Sequence, residues 1–158
     1  MDVNKKIKVR RQELGFTGVE VANLAGLAIQ DYFSIEMHVN EIVLYPHLYE
    51  VKEILRILKI DFLDLFEMHC DFCEEDKQYL KDYSLPRNEL ILKRRTEMGL
   101  SASELGDRIG FEEGAVNDME KDPNYLETWA IDYIKNLSRV IDVPLQILLN
   151  IKCFKCGR

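Results

Sequence analysis

The 158-residue sequence predicts an all-α fold made of two tandem five-helix domains. Apolar residues recur at helical spacing, and no segment keeps the alternation of apolar and polar residues that marks a β-strand. The chain also matches itself at a shift of about 84 residues. A period this long leaves each copy enough residues for its own small core, which favours two domains over a solenoid of short repeats.

The internal repeat is clearest near the start of each copy. Nine of the 33 positions from 4 to 36 hold the same residue as the position 84 further on. Later in the copies the shift becomes 83, so one residue has been lost from a loop of the second copy. We therefore expect domains at residues 1–69 and 87–150, an acidic connector at 70–86 and a short CxxC-containing tail at 151–158.

Local signals place five helices in the first copy. The first ends at Gly15, and Thr17 followed by Glu20 forms a capping box that opens the second. Gly26 ends the second helix, and a third runs from about 28 to 36. A fourth helix has four apolar residues on one face, and a short fifth spans 62–66; the four are Val51, Ile54, Leu55 and Leu58.

The second copy repeats these signals. Ser101 and Glu104 form the matching capping box after Gly99, and Gly110 ends the second helix. Tyr32 and Ile35 of the first third helix, like Val116 and Met119 of the second, are expected to face inward. Each copy is thus predicted to contain two helices joined by a tight, glycine-containing turn.

Long stretches of both copies resemble the helix-turn-helix domain of the phage-repressor family, the Cro and repressor or XRE family. The similarity runs from "IKVRRQELGFTGVEVANLAG" to "ILRILKIDFLDLF" in the first copy and from "ILKRRTEMGLSASELGDRIG" to "LSRVIDVPLQILL" in the second. The resemblance implies a largely buried ion pair between the first and third helices. Its positions match Arg11 with Glu36 and Arg95 with Glu120.

The resemblance also implies that the third helix reads DNA bases. In the first copy the base-reading positions hold Ile29, Gln30 and Ser34. Lys5 and Lys6 are candidates to contact the DNA backbone. Gln30 has the amide chemistry that pairs with adenine. At the start of the second helix, where the family places a polar group for phosphate, this chain has Gly18 and Ala102.

The charge distribution opposes DNA binding. The formal net charge is −7, and the third helix of the first copy, from 28 to 36, contains no Lys or Arg. The equivalent segment of the second copy, from 112 to 120, carries four acids and no cation, so the phosphates of a duplex would repel it. Any DNA contact is therefore expected through the first domain.

An apolar loop after the third helix offers a different kind of contact. Ile42, Leu44 and Tyr45 lie in a loop longer than the family norm and could form a surface for a protein partner or for a second copy of the chain. Its counterpart in the second copy, around Trp129, is also apolar. The alternative is that Leu44, Tyr45 and Trp129 fold back onto the core.

One cysteine pair follows the fifth helix of each copy. Cys70 and Cys73, with Cys153 and Cys156, supply the four thiolates of a tetrahedral zinc site if the two copies bring their ends to a shared point. Free or partly buried thiols are the alternative. A thioredoxin-like redox role is disfavoured because neither CxxC follows a strand of a βαβ unit.

The sequence points to regulation and not to catalysis. It contains no Ser/His/Asp set, phosphate loop or paired catalytic carboxylates, so we expect no enzyme activity. No apolar run is long enough for a membrane span and no signal peptide opens the chain, which predicts a cytoplasmic protein without a membrane partner. We expect a regulator with any DNA contact in the first domain; the alternative is a degenerate helix-turn-helix module that binds protein.

Overall fold

A computed structural model describes residues 1–70, 72–73 and 84–157. Within these residues every regular element is a helix, which confirms the all-α fold class. The acidic run at 74–76, in the predicted connector, lies outside the described residues. Contacts divide the chain into two compact units, Met1–His69 and Cys70–Arg158. All four cysteines therefore belong to the second unit, although the sequence predicted a connector and a tail on either side of the second domain.

The first unit contains six helices within residues 1–69. The fourth is a single turn inside the apolar loop that follows the third helix. Their bounds are α1 Val3–Glu13, α2 Gly18–Ala25, α3 Ile29–Met37, α4 Glu41–Leu44, α5 Leu48–Leu58 and α6 Phe62–Leu65.

The second unit follows the same order among its described residues. A 3-10 turn at Tyr125–Thr128 occupies the place of α4. The α-helices are α7 Arg87–Glu97, α8 Ala102–Ile109, α9 Glu113–Lys121, α10 Ile131–Ile141 and α11 Leu145–Leu148.

The predicted capping signals set the helix ends. Thr17 accepts a hydrogen bond from the Glu20 backbone N–H while the Glu20 carboxylate accepts one from the Thr17 N–H, and Ser101 and Glu104 do the same. Reciprocal bonds of this kind satisfy two of the backbone donors that an open helix start leaves unpaired. Gly26 ends α2 at φ +73°, a backbone conformation that favours glycine.

The loops after α3 and α9 start alike and end differently. Asn40 and Asn124, one residue before each short turn, have φ angles of −99° and −100°. The buried Ile42 and Leu126 each follow two residues later. The next long helix then begins at Leu48 in one unit and at Ile131 in the other, so the lost residue falls between the short turn and that helix.

Each unit closes around its own apolar core. The residues that the helical spacing predicted to face inward are buried, including Tyr32, Ile35, Val116 and Met119. The apolar face of α5 is buried at every predicted position, namely Val51, Ile54, Leu55 and Leu58. The 3.6-residue period thus identified the core-facing sides of the long helices.

One ion pair ties the first helix to the third in each unit. The Arg11 guanidinium donates through Nε and Nη2 to the two carboxylate oxygens of Glu36, with 2.8 Å from Nη2 to Oε2, and its Nη1 donates to the Phe16 carbonyl. Both side chains are largely buried, and the hydrogen bond to Glu36 raises the pKa of Arg11 above its ordinary value. Two parallel bonds fix the angle between the two groups as well as their distance.

The second unit repeats this pair and its neighbours. Arg95 donates to both oxygens of Glu120 and to the Leu100 carbonyl. Asn4 donates to the backbone carbonyl of Glu36, and Asn88 donates to that of Glu120, at 3.3 Å in both units. The α1–α3 and α7–α9 contacts therefore follow one pattern.

Removing one member of a pair should destabilise the fold more than removing both. We expect Arg11→Met or Glu36→Gln to lower the free energy of unfolding by about 3 kcal/mol, because each change strands a buried polar partner, and the double variant to recover part of the loss. Urea unfolding of the four proteins measures the coupling. Strictly additive losses would contradict it.

Candidate functional site

The four cysteines form a compact cluster in the second unit. Their sulfur atoms all lie within 4.8 Å of one another. Cys70 Sγ is 3.7 Å from Cys156 Sγ, and Cys73 Sγ is 3.6 Å from Cys153 Sγ. The structure thus brings together the full ligand set that the sequence predicted, from two segments about 80 positions apart in the chain.

Tight turns place the two sulfurs of each CxxC pair on the same side. The Cys73 backbone N–H donates to the Cys70 carbonyl at 3.2 Å. After the second pair, the Gly157 N–H donates to the Cys153 carbonyl at 2.8 Å, with Gly157 at φ +71°. The left-handed backbone at that position favours glycine because it has no Cβ.

Backbone donors aimed at sulfur favour a thiolate in this cluster. A hydrogen bond from the Cys156 backbone lowers the pKa of Cys153 to about 7, although burial opposes the charge. The Lys155 N–H, 3.3 Å from the Cys153 sulfur, lowers this pKa by a smaller amount. Hydrogen bonding to Cys153 and then to Cys70 raises the pKa of Cys73 to about 12. The backbone therefore favours the ionised form of the Cys153 thiol.

The α3 helix of the first unit exposes apolar side chains along one side. Ile29, Phe33 and Met37 follow one another at intervals of four residues and are 41%, 40% and 70% exposed. Spacing of four places them in one row, which we call the α3 face. Of the two polar residues predicted to read bases, Gln30 is exposed and Ser34 is half-buried.

Phe33 also covers Gly18, at the start of α2, where the phage-repressor family places a polar group for phosphate. A Cβ atom built on Gly18 would come within 2.9 Å of the Phe33 ring. The start of α2 therefore has room for the ring because residue 18 is glycine. A polar side chain at residue 18 would have to displace the aromatic ring.

The equivalent side of α9 is polar. The counterparts of the α3 face, 84 positions on, are Glu113, Asn117 and Lys121. Glu113, Gly114 and Asp118, which match Ile29, Gln30 and Ser34 of the first copy, are exposed. The two units thus share the same order of helices and differ in the chemistry of this surface.

Both lysines proposed for the DNA backbone are paired within the first unit. Lys5 Nζ lies 2.8 Å from the Asp2 carboxylate, and Lys6 Nζ lies 2.8 Å from that of Glu67. Lys5 lies at the exposed start of α1, where the acid offsets its charge locally. These pairs reduce the positive field that would attract a phosphate.

The predicted protein-contact loop is only partly at the surface. Ile42 is fully buried, so its assignment to a contact surface was wrong: α4 turns the side chain into the core. Leu44 and Tyr45 are exposed, Tyr45 by 70%. Tyr45 and Glu41 lie at the rim of a cavity of about 330 Å³ in the first unit.

The corresponding loop of the second unit folds inward. Trp129 is only 7% exposed and stacks on Phe111 with ring centroids 4.2 Å apart. Leu126 is also buried. The alternative that the loop packs against the core therefore holds for the second unit and for Ile42, while Leu44 and Tyr45 keep the surface position.

One buried cation, Arg87, was not predicted from the sequence. The Arg87 side chain donates to the carbonyls of Pro123 and Leu148, and its Nη2 lies 2.8 Å from a Glu127 carboxylate oxygen. Its counterpart in the first copy is Val3, so the repeat gave no signal. Glu127, in a loop with few other charges, was the one hint in the sequence.

Comparison of the chain with protein-family models, with curated proteins and with solved structures found no match. Membership of the phage-repressor family stays a prediction from the quoted motifs. In the part of the chain that the structure describes, no helix combines the length and the apolar character needed to span a bilayer.

Substitutions in the loop should separate its core residue from its surface residues. We expect Ile42→Ala to cost about 2 to 5 kcal/mol in the free energy of unfolding, because it leaves a cavity in the core. Leu126→Ala, at the matching position, is the control and should behave alike. Leu44→Asp and Tyr45→Asp should each change stability by about 0.5 kcal/mol or less. An Ile42→Ala variant with the same free energy of unfolding as the wild type would contradict the burial of this residue in the core.

Proposed function

We propose that the protein is a regulatory module whose first unit binds another protein through the α3 face. The observation that carries this proposal is the row of exposed apolar side chains on the helix that would read DNA in a repressor. An apolar row gains free energy when a partner removes it from water. Facing the major groove, it would gain little beyond contact with a thymine methyl group.

The contrast between the units supports a specific role for this row. Where the first unit has Ile29, Phe33 and Met37, the second has two acidic or amide side chains and a lysine on the same frame. The apolar row is therefore not needed to build the fold. Its presence in one unit alone fits a surface kept for contact.

The contact between Phe33 and Gly18 supports the same conclusion. The aromatic ring covers the helix start where a DNA reader needs a phosphate ligand. Aromatic side chains are frequent anchors of protein interfaces because they bury a large area with few rotatable bonds. This part of the surface thus suits an apolar partner better than a phosphate.

Charge complementarity indicates the chemistry of the partner. Residues 1–69 carry 8 cations and 11 acids, a net charge of 8 − 11 = −3, and the α3 face itself is uncharged. A partner helix with apolar residues flanked by Lys or Arg would be attracted by the acidic unit and would cover the row. We therefore propose a basic amphipathic helix as the partner.

DNA binding through the first unit is the second candidate. The exposed Gln30 favours it, since an amide at the second position of α3 can form two hydrogen bonds with adenine. The absence of Lys and Arg from α3 in the sequence opposes it. The experiment below separates the two.

A designed peptide tests the proposal without knowledge of the natural partner. We expect a labelled amphipathic helix of leucine and lysine to bind the wild-type chain, and to bind Ile29→Glu/Phe33→Asn/Met37→Lys at least about tenfold more weakly, because three apolar contacts are lost. Fluorescence anisotropy measures both affinities. The variant introduces only residues that the second unit carries at the same positions, so the fold should persist.

Two controls accompany this measurement. Leu92→Lys replaces an exposed apolar residue of the second unit with the residue at its first-copy counterpart, and it should leave peptide binding unchanged. A leucine–glutamate helix of the same pattern should bind poorly. Tight binding of mixed DNA fragments at low salt, lost in Gln30→Ala, would overturn the proposal. So would a wild-type dimer that the triple variant dissociates.

A further inference from the structure

We infer that Cys70, Cys73, Cys153 and Cys156 bind one Zn²⁺ in a tetrahedral structural site. The inference is independent of the proposed protein contact, since the site lies in the second unit and the α3 face in the first. It depends on the distances, the number and the surroundings of the four sulfurs.

The sulfur–sulfur distances have the size of a zinc tetrahedron. Zinc–thiolate bonds of about 2.3 Å at tetrahedral angles give edges of about 3.8 Å between sulfurs. The two distances between the pairs are 3.7 and 3.6 Å, and all four sulfurs fall within 4.8 Å. Covalent pairing would bring two sulfurs to about 2.05 Å, and all four cysteines are free in this structure.

The number of ligands specifies the kind of site. Four thiolates complete the coordination sphere of zinc and leave no position for water or substrate, which is the arrangement of a structural site. His69, the neighbouring residue that could also ligate zinc, is not part of the cluster. Soft sulfur ligands in this geometry select zinc over calcium or magnesium.

The surroundings suit the charge of such a centre. Four thiolates and one Zn²⁺ carry a formal charge of −2, and Lys152 and Lys155 in the exposed tail can offset part of it. The Lys155 backbone N–H already donates to the Cys153 sulfur. Donors of this kind outside the ligand shell hold the sulfur in place and stabilise its negative charge.

Metal binding would fasten two distant segments of the second unit. Phe72, between the first two cysteines, lines a cavity of about 360 Å³ together with Ile147 and Ile151. The tail that carries the other two cysteines follows α11 directly. Zinc would join these segments across 80 or more positions of the chain. Because the four sulfurs come together only in the folded unit, the free energy of zinc binding would add to its stability.

Reconstitution of the reduced protein with metal tests the inference. We expect the full chain, purified under reducing conditions, to hold one zinc per chain by elemental analysis and to expose four reactive thiols only after a chelator is added. Cobalt should replace zinc and give the intense visible absorption of tetrahedral thiolate coordination. Chelation should lower the melting temperature, and zinc should restore it.

Single-ligand variants identify the residues involved. Cys73→Ser and Cys156→Ser should each weaken cobalt binding at least about a hundredfold and change the absorption spectrum, while His69→Ala should leave both unchanged. Helix content by circular dichroism checks that each variant is folded. Reduced wild-type protein that binds no zinc, or that melts at the same temperature with and without zinc, would overturn the inference. Loss of cobalt binding in His69→Ala would show that His69 is a metal ligand and would contradict a site made of the four cysteines.

Discussion

The bidentate ion pair between a first-helix arginine and a third-helix glutamate is the contact on which the arrangement of each unit depends. The carboxylate of Glu36 is nearly inaccessible to water, so its charge is tolerable only with the Arg11 guanidinium in place. The arginine also donates to a backbone carbonyl just after the turn that ends the first helix. This carbonyl belongs to Phe16 in the first unit and to Leu100 in the second. One side chain therefore fixes the first helix, the turn and the third helix together.

This frame leaves the outer side of the third helix free to vary. Residues that face the core are apolar in both units, and the ion pair recurs, while the outward row is apolar on α3 and polar on α9. Both Gly18 and Phe33 differ in the second copy, where Ala102 and Asn117 replace them. In the first unit the Phe33 ring lies where a side chain at residue 18 would be. The cysteine cluster in the second unit adds a constraint of a different kind, since it joins chain segments through a shared centre and not through a core.

Much of this organisation could be predicted because the chain contains two versions of it. The resemblance to the phage-repressor family implied the ion pairs, and the recurrence of Arg11 as Arg95 and of Glu36 as Glu120 supported them. The recurrence of the CxxC pair in each copy likewise predicted the cysteine cluster. Helical spacing identified the inward faces because burial follows the helix period.

The errors arose where periodicity carries no information. Ile42 lies in a one-turn helix, too short for a period to show which side faces the core, and its burial depends on how α4 closes. Arg87 has no counterpart in the first copy and binds two carbonyl groups that no sequence pattern locates. The pairing of Lys6 with Glu67 joins residues 61 positions apart and follows only from the closed fold.

Transfer of the α3 face to the second unit would show whether this row of side chains is sufficient to bind a partner helix. The substitutions Glu113→Ile, Asn117→Phe and Lys121→Met, with Ala102→Gly to make room for the ring, would copy the row onto α9. Titration with the leucine–lysine helix by isothermal calorimetry then counts the binding sites. We expect a second site of similar affinity in a folded variant. A folded variant whose stoichiometry stays at the wild-type value would contradict it.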